Sequence, residues 1–151
     1  MALRDEFSSS LKDAMRAGDK MRLSTIRLIT SSLKDREIEA RGTGKEIGED
    51  DILALLQKMV KQRQESLKIY EDAGRMDLAE QERGEIAVIT GFLPQKMDEA
   101  AVAAAIDAAI ASTGAAGIKD MGKVVAALKQ THAGQMDFGK ASAIVKTKLS
   151  A

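Results

Sequence analysis

The residue types that most often carry out catalysis do not form a recognisable constellation in this sequence. The chain has one histidine, His132, and no cysteine, so thiol nucleophiles, zinc ribbons and iron–sulfur ligation are excluded. His132 lies in a stretch of small residues, without a nucleophile at a spacing typical of a nucleophile–base pair. The sequence therefore predicts no catalytic residues and a chain that is not catalytic alone.

Two other segments resemble ligand sites only in part. Gly42–Lys45 has the end of a phosphate loop, but Glu39 stands where the first glycine belongs and Glu46 replaces the final Ser or Thr. The carboxylates at 49–51 are of the type that binds a hard cation, but they lack the spacing of an EF-hand. Capping of a helix explains them more simply. We therefore expect no cofactor and no metal site.

Basic residues give the pattern that indicates binding. Lys20, Arg27, Lys34 and Arg41 recur every seven residues, which on a helix makes one basic stripe. A solvated face with local partners such as Asp35 is the alternative interpretation. Lysines at other helical positions extend the candidate phosphate-binding set, and these are Lys58, Lys61, Lys119, Lys123 and Lys140.

Helices must position these residues, because aromatic residues are only 3% of the chain and apolar residues recur at intervals of three and four. On the first helix, for example, Leu3, Phe7, Leu11 and Met15 are predicted to share the buried face. The sequence predicts an all-α protein with helices near 3–17, 20–40, 49–72, 76–90, 98–112, 121–130 and 138–149.

The only proline, Pro94, marks a predicted domain boundary. Residues 1–93 are expected to form an N-terminal four-helix hairpin or bundle, and residues 94–151 a smaller three-helix domain. No apolar run is long enough to span a membrane, and the N-terminal residues lack the apolar core of a secretory signal. We therefore expect no membrane partner and a cytoplasmic protein.

Charge also predicts a contact between the third and fourth helices. Arg63 interrupts the apolar face of the third helix, and Glu82 and Glu85 interrupt that of the fourth. Arg63 lies eleven positions before Gly74 and Glu85 eleven after it, so an antiparallel hairpin brings them together. Because an unpaired charge in an apolar seam is costly, we predict that Arg63 pairs with Glu85, with Glu82 nearby. A functional pocket is the alternative interpretation.

Several segments together resemble the GatB/YqeY family in its short, free-standing form. They extend over most of the chain in the family's order and spacing, and they are Lys20–Arg27, Lys61–Ser66, Phe92–Pro94 and Lys119–Val124.

The resemblance implies an all-helical protein of two subdomains, similar to the tail of the B subunit of glutamine-dependent aminoacyl-tRNA amidotransferase. It implies tRNA as a partner, with an amidotransferase or aminoacyl-tRNA synthetase as a further partner, and no DNA. Because the catalytic domain of that enzyme has no counterpart here, carbon–nitrogen ligase activity with glutamine as amido donor is expected only with partner subunits. A protein–protein adaptor whose acidic middle region docks a basic partner is the remaining alternative.

Overall fold

The computed structural model describes residues 2–150, and this part of the chain contains helices and no strand. The all-α class predicted from the spacing of apolar residues is confirmed. A 3₁₀ turn at Ile118–Asp120 is an addition, because a three-residue turn has no periodicity to detect. The helices are α1 (Leu3–Ala17), α2 (Lys20–Gly42), α3 (Glu49–Asp72), α4 (Met76–Thr90), α5 (Glu99–Thr113), α6 (Met121–Thr131) and α7 (Phe138–Ser150).

Local chemistry sets the ends of the first helices. Gly18 ends α1 with a positive φ of 69°, a conformation that costs glycine little. The Asp19 carboxylate then accepts a hydrogen bond from the Arg22 amide at 3.0 Å and starts α2. Gly74, with φ of 72°, forms the short turn between α3 and α4. Both turns reverse the chain, so α1–α2 and α3–α4 are hairpins.

The chain divides between Leu93 and Pro94 into two compact units, each with its own apolar core. In the first unit, the rings of Phe7 and Phe92 meet edge to face with centroids 5.0 Å apart, and the Arg22 guanidinium lies 5.7 Å from the Phe92 centroid. The first core consists of Leu3, Phe7, Ile26, Ile29, Leu33, Ile52, Leu55, Leu56, Met59, Ile89 and Phe92. The second consists of Ile106, Ala109, Val124, Leu128, Met136, Ala141 and Val145.

The predicted burial of Met15 is wrong. Its side chain is 57% exposed, whereas Ala14 is 1% exposed. Each step of four residues overshoots a helical turn by about 40°, so the series that starts at Leu3 has left the buried face by Met15. Ala14, three residues after Leu11, returns to that face.

Among the described helices, none alone has the length and apolar character needed to cross a membrane. Glu99–Thr113 and Ile118–Thr131 meet these criteria only as a pair, bent by 97°.

Candidate nucleic-acid interface

The four basic residues that recur along α2 are Lys20, Arg27, Lys34 and Arg41, and all four are exposed. Each heptad step advances about 10 Å along the helix axis, so the four charges form a line on one side of α2. Among the described residues, no carboxylate lies within 4 Å of their charged groups. Positive charge on this line is therefore not neutralised by an ion pair within the described chain.

A groove of about 350 Å³ lies between α1 and α2, beside two of these charges. Lys34 and Arg41 line it, Phe7 and Leu33 are buried residues of its wall, and Ile38 is exposed. The complete lining is Arg4, Phe7, Ser8, Thr30, Leu33, Lys34, Glu37, Ile38 and Arg41. The groove thus combines an apolar surface with a cationic edge.

An ion pair joins the two helices at this groove. Arg4 Nη2 lies 2.9 Å from Glu37 Oε1, and the same nitrogen donates to the Ile47 carbonyl at 2.9 Å. Arg4 therefore ties α1 to α2 and to the loop after α2. Arg4 was not predictable from the sequence, because its partner is 33 residues away, outside any helical spacing.

A second, smaller groove of about 240 Å³ lies between α2 and α3. It contains Lys58 from the predicted set, together with Arg36, which lies outside that set. Leu33 lines both grooves. The structure therefore places Lys58 in a different groove from Lys34 and Arg41, and the exposed Lys61 lines neither.

The remaining predicted lysines belong to the second unit, and all are exposed: Lys119, Lys123 and Lys140. Lys123 Nζ lies 3.9 Å from Asp120 Oδ1. The Asp120 carboxylate accepts the Ala116 amide at 3.0 Å and caps no amide of α6. That hydrogen bond is the main reason that the pKa of Asp120 is lowered. A carboxylate held ionised between Lys119 and Lys123 opposes anion binding there.

Asp137 accepts hydrogen bonds from the amides of Gly139 and Lys140. The start of α7 is therefore already bonded to a carboxylate, which leaves fewer free amides for an external anion.

The three residues of the predicted ion pair, Arg63, Glu85 and the neighbouring Glu82, lie on the α3–α4 hairpin. Arg63 Nε donates to Glu85 Oε2 at 2.8 Å, and the side chains are only 16% and 10% exposed. Arg63 Nη1 also donates to the Met59 carbonyl, and the Gln81 amide donates to Glu85 Oε1 at 3.4 Å. Within the described chain, Glu82 Oε2 is buried without a hydrogen-bond partner. Burial, aided by the negative charge of Glu85, raises the pKa of Glu82.

Carboxylates at the start of α3 are engaged in helix-terminal hydrogen bonds. Glu49 accepts the Leu3 amide at 3.2 Å, and Asp51 accepts the Gly48 amide at 3.0 Å. No group of three or more His, Cys, Asp or Glu side chains suited to a metal ion occurs among residues 2–150.

Comparison with known families matches residues 4–149 to the family described as Yqey-like protein. Similar proteins include three fungal ones, each named altered inheritance of mitochondria protein 41, mitochondrial. The one from Lachancea thermotolerans is 39% identical over 85 residues, covering 56% of this chain and 44% of that protein. In Vanderwaltozyma polyspora the identity is 34%, covering 58% of this chain and 50% of the relative. The protein from Clavispora lusitaniae is 38% identical, and the match covers 65% of this chain and 57% of that protein.

Matched segments thus span about half the length of these relatives. The predicted cytoplasmic location is contradicted, because the relatives are named as mitochondrial proteins. The prediction relied on the missing apolar core of a secretory signal. That feature does not bear on mitochondrial import, which uses amphipathic, Arg-rich segments instead.

Proposed function

The chain belongs to the YqeY-like protein family, and from this membership and the charged surface of α2 we propose that it is a non-catalytic helical module that binds tRNA. The observation that carries the proposal is the line of exposed cations on α2 without carboxylate partners in the described chain. The resemblance of its motifs to the amidotransferase tail supports an association with tRNA-dependent amidation by partner subunits.

Charge distribution favours local contact with RNA over a general coating of nucleic acid. The whole chain has 23 basic and 23 acidic residues, so long-range attraction of a polyanion is weak. Lys34 and Arg41 are one heptad step apart, which is about 10 Å along α2. Over this distance the two side chains contact phosphates of one RNA segment. Phosphate contacts position an RNA by its shape, and a chain with 3% aromatic residues has few platforms on which bases stack.

Binding of bulk tRNA, compared with a double-stranded RNA of equal length at low and near-physiological salt, tests the proposal. We expect preferential binding of tRNA, with an affinity that falls as salt rises because bound counterions are released. The double variant Lys34→Ala/Arg41→Ala should weaken binding and reduce the salt slope by about one for each lost phosphate contact.

Arg75→Ala is the matched control, because Arg75 is also exposed but is paired with Asp77 at the α3–α4 turn. It should leave affinity and slope unchanged. If the double variant binds tRNA with the affinity and slope of the unaltered protein, the α2 surface is not the RNA site. If the unaltered protein binds neither RNA, a protein partner becomes the better explanation of this surface.

A further inference from the structure

The groove between α1 and α2 contains an apolar surface that phosphate binding does not require. Ile38 is 55% exposed although it lies between Lys34 and Arg41 in the sequence and lines the same groove. Behind it, Phe7 and Leu33 are 1% and 6% exposed. Covering the exposed Ile38 side chain with an apolar group removes apolar surface from water, which is favourable. A phosphate does not provide this gain, so the groove favours an occupant with an apolar surface.

Size and charge restrict the occupant. A volume of about 350 Å³ is at the small end of the range for ligand sites and suits a single nucleoside. Lys34 and Arg41 have no carboxylate within 4 Å among the described residues, whereas Arg4 is neutralised by Glu37. The groove therefore presents two unneutralised cations at its edge.

Polar groups of the groove match the edge of a nucleobase. Arg4 Nε and Nη2 both donate to Glu37 Oε1, and Glu37 Oε2 receives no hydrogen bond from the described residues. That oxygen is an acceptor for a ring or exocyclic N–H of a base. Ser8, exposed on α1, adds a hydroxyl that both donates and accepts.

We propose that this groove binds one unpaired nucleotide of an RNA, with its base against Leu33 and Ile38 and its flanking phosphates at Lys34 and Arg41. This inference rests on the proposed function and adds to it a preference for RNA with unpaired nucleotides. Transfer RNA has such nucleotides in its loops and at its 3′ end, and a blunt duplex has none.

Filling the groove without changing its charge tests the inference. Ser8→Trp places a large ring in the groove, whereas Ser9→Trp places the same ring at the next exposed position of α1, which does not line it. Both variants and the unaltered protein are titrated with bulk tRNA and with a blunt double-stranded RNA. A second variant, Ile38→Ser, removes the apolar side chain at an exposed position and covers the case in which Ser8→Trp does not fold.

We expect Ser8→Trp and Ile38→Ser to weaken tRNA binding by about tenfold, as for loss of the apolar contact between one aliphatic side chain and a base, while Ser9→Trp binds normally. The salt slope should not change, because every cation remains, and duplex binding should not change either. Unchanged or tighter tRNA binding by both variants overturns the proposal that the groove binds an unpaired nucleotide. It does not affect the proposal that the cations of α2 bind phosphates. Absence of tRNA binding by the unaltered protein overturns both proposals.

Discussion

Arg63 and Glu85 place opposite charges in the contact between α3 and α4, where both side chains are largely shielded from water. Both side chains are at most 16% exposed, and Arg63 has a second acceptor in the Met59 carbonyl. Removing two charges from water is costly, and their mutual attraction only offsets that cost. The pair is thus better understood as fixing the register of the hairpin than as adding stability.

Breaking the pair should be far more damaging than replacing it. Glu85→Ala leaves Arg63 buried and unpaired, and we expect a loss of about 3 to 5 kcal/mol in the free energy of unfolding, measured by urea denaturation. The double variant Arg63→Met/Glu85→Leu should recover most of that loss, because two apolar side chains replace the pair. A loss below about 1 kcal/mol for Glu85→Ala would show that the pair behaves as an exposed one.

The contribution of Glu82 to stability should be larger in mild acid than at neutral pH. Its pKa is raised above the ordinary 4.5, so the folded state holds the proton more tightly than the unfolded chain. The contribution of Glu82 to the free energy of unfolding therefore falls as pH rises from 4.5 through the raised pKa.

Glu82→Gln removes that charge and should raise the free energy of unfolding at pH 7 while flattening its change with pH above 4.5. Denaturation at several pH values measures both effects. Glu65→Gln, at an exposed position of α3, is the control and should change neither. A Glu82→Gln variant less stable than the unaltered protein at pH 7 would contradict the assignment.

Residue contacts were predictable from the sequence where a helix or a short turn fixes the geometry. Arg63 and Glu85 are equally far from Gly74, so the register of one hairpin predicts the contact that the structure shows. Arg4 and Glu37 meet across the α1–α2 hairpin near its open end, where small differences in crossing angle decide which side chains touch. No sequence spacing contains that information.

At the scale of elements, α3 is buried over only part of its length. The buried side chains of α3 are Ile52, Leu55, Leu56 and Met59, all in its first half. In its second half, Ile69 is 65% exposed. The part of the hairpin near Gly74 therefore depends on contacts between α3 and α4 themselves.

Hydrogen exchange should reveal this difference. We expect backbone amides at 64–72 to exchange at least about tenfold faster than those at 52–59, because local opening there exposes little apolar surface. Native-state exchange followed by NMR measures both segments in one sample. Equal protection along α3 would mean that the hairpin opens only when the whole unit unfolds.

Helix bounds were readable from the sequence because capping residues and glycines are local signals, as Asp19 and Gly18 show at the α1–α2 turn. The grooves were not readable. Their shape depends on how far apart α1, α2 and α3 lie, which is set by packing of the whole first core.

At the scale of the molecule, the two units have separate cores, and we expect them to unfold separately. Leu128 is fully buried in the second core, so Leu128→Ala should cost that unit about 2 to 5 kcal/mol. The only tyrosine, Tyr70, reports on the first unit by fluorescence, whereas far-ultraviolet circular dichroism reports on both.

We therefore expect Leu128→Ala to shift part of the dichroism transition in urea and to leave the Tyr70 transition in place. Leu56→Ala, at a fully buried position of the first core, is the converse variant and should move the Tyr70 transition. If Leu128→Ala shifts both signals equally, the chain unfolds as a single cooperative body.

Gly84 lets α4 approach α2 closely, since a Cβ there would lie 3.1 Å from Met21 Cε. The Met21 sulfur also lies 3.6 Å from the Thr25 hydroxyl. A reactive oxygen species that converts this thioether to a sulfoxide adds a polar atom where little space is left. Oxidation of Met21 would thus crowd the contact between α4 and α2, and the flexible end of the Met21 side chain would have to move to relieve it.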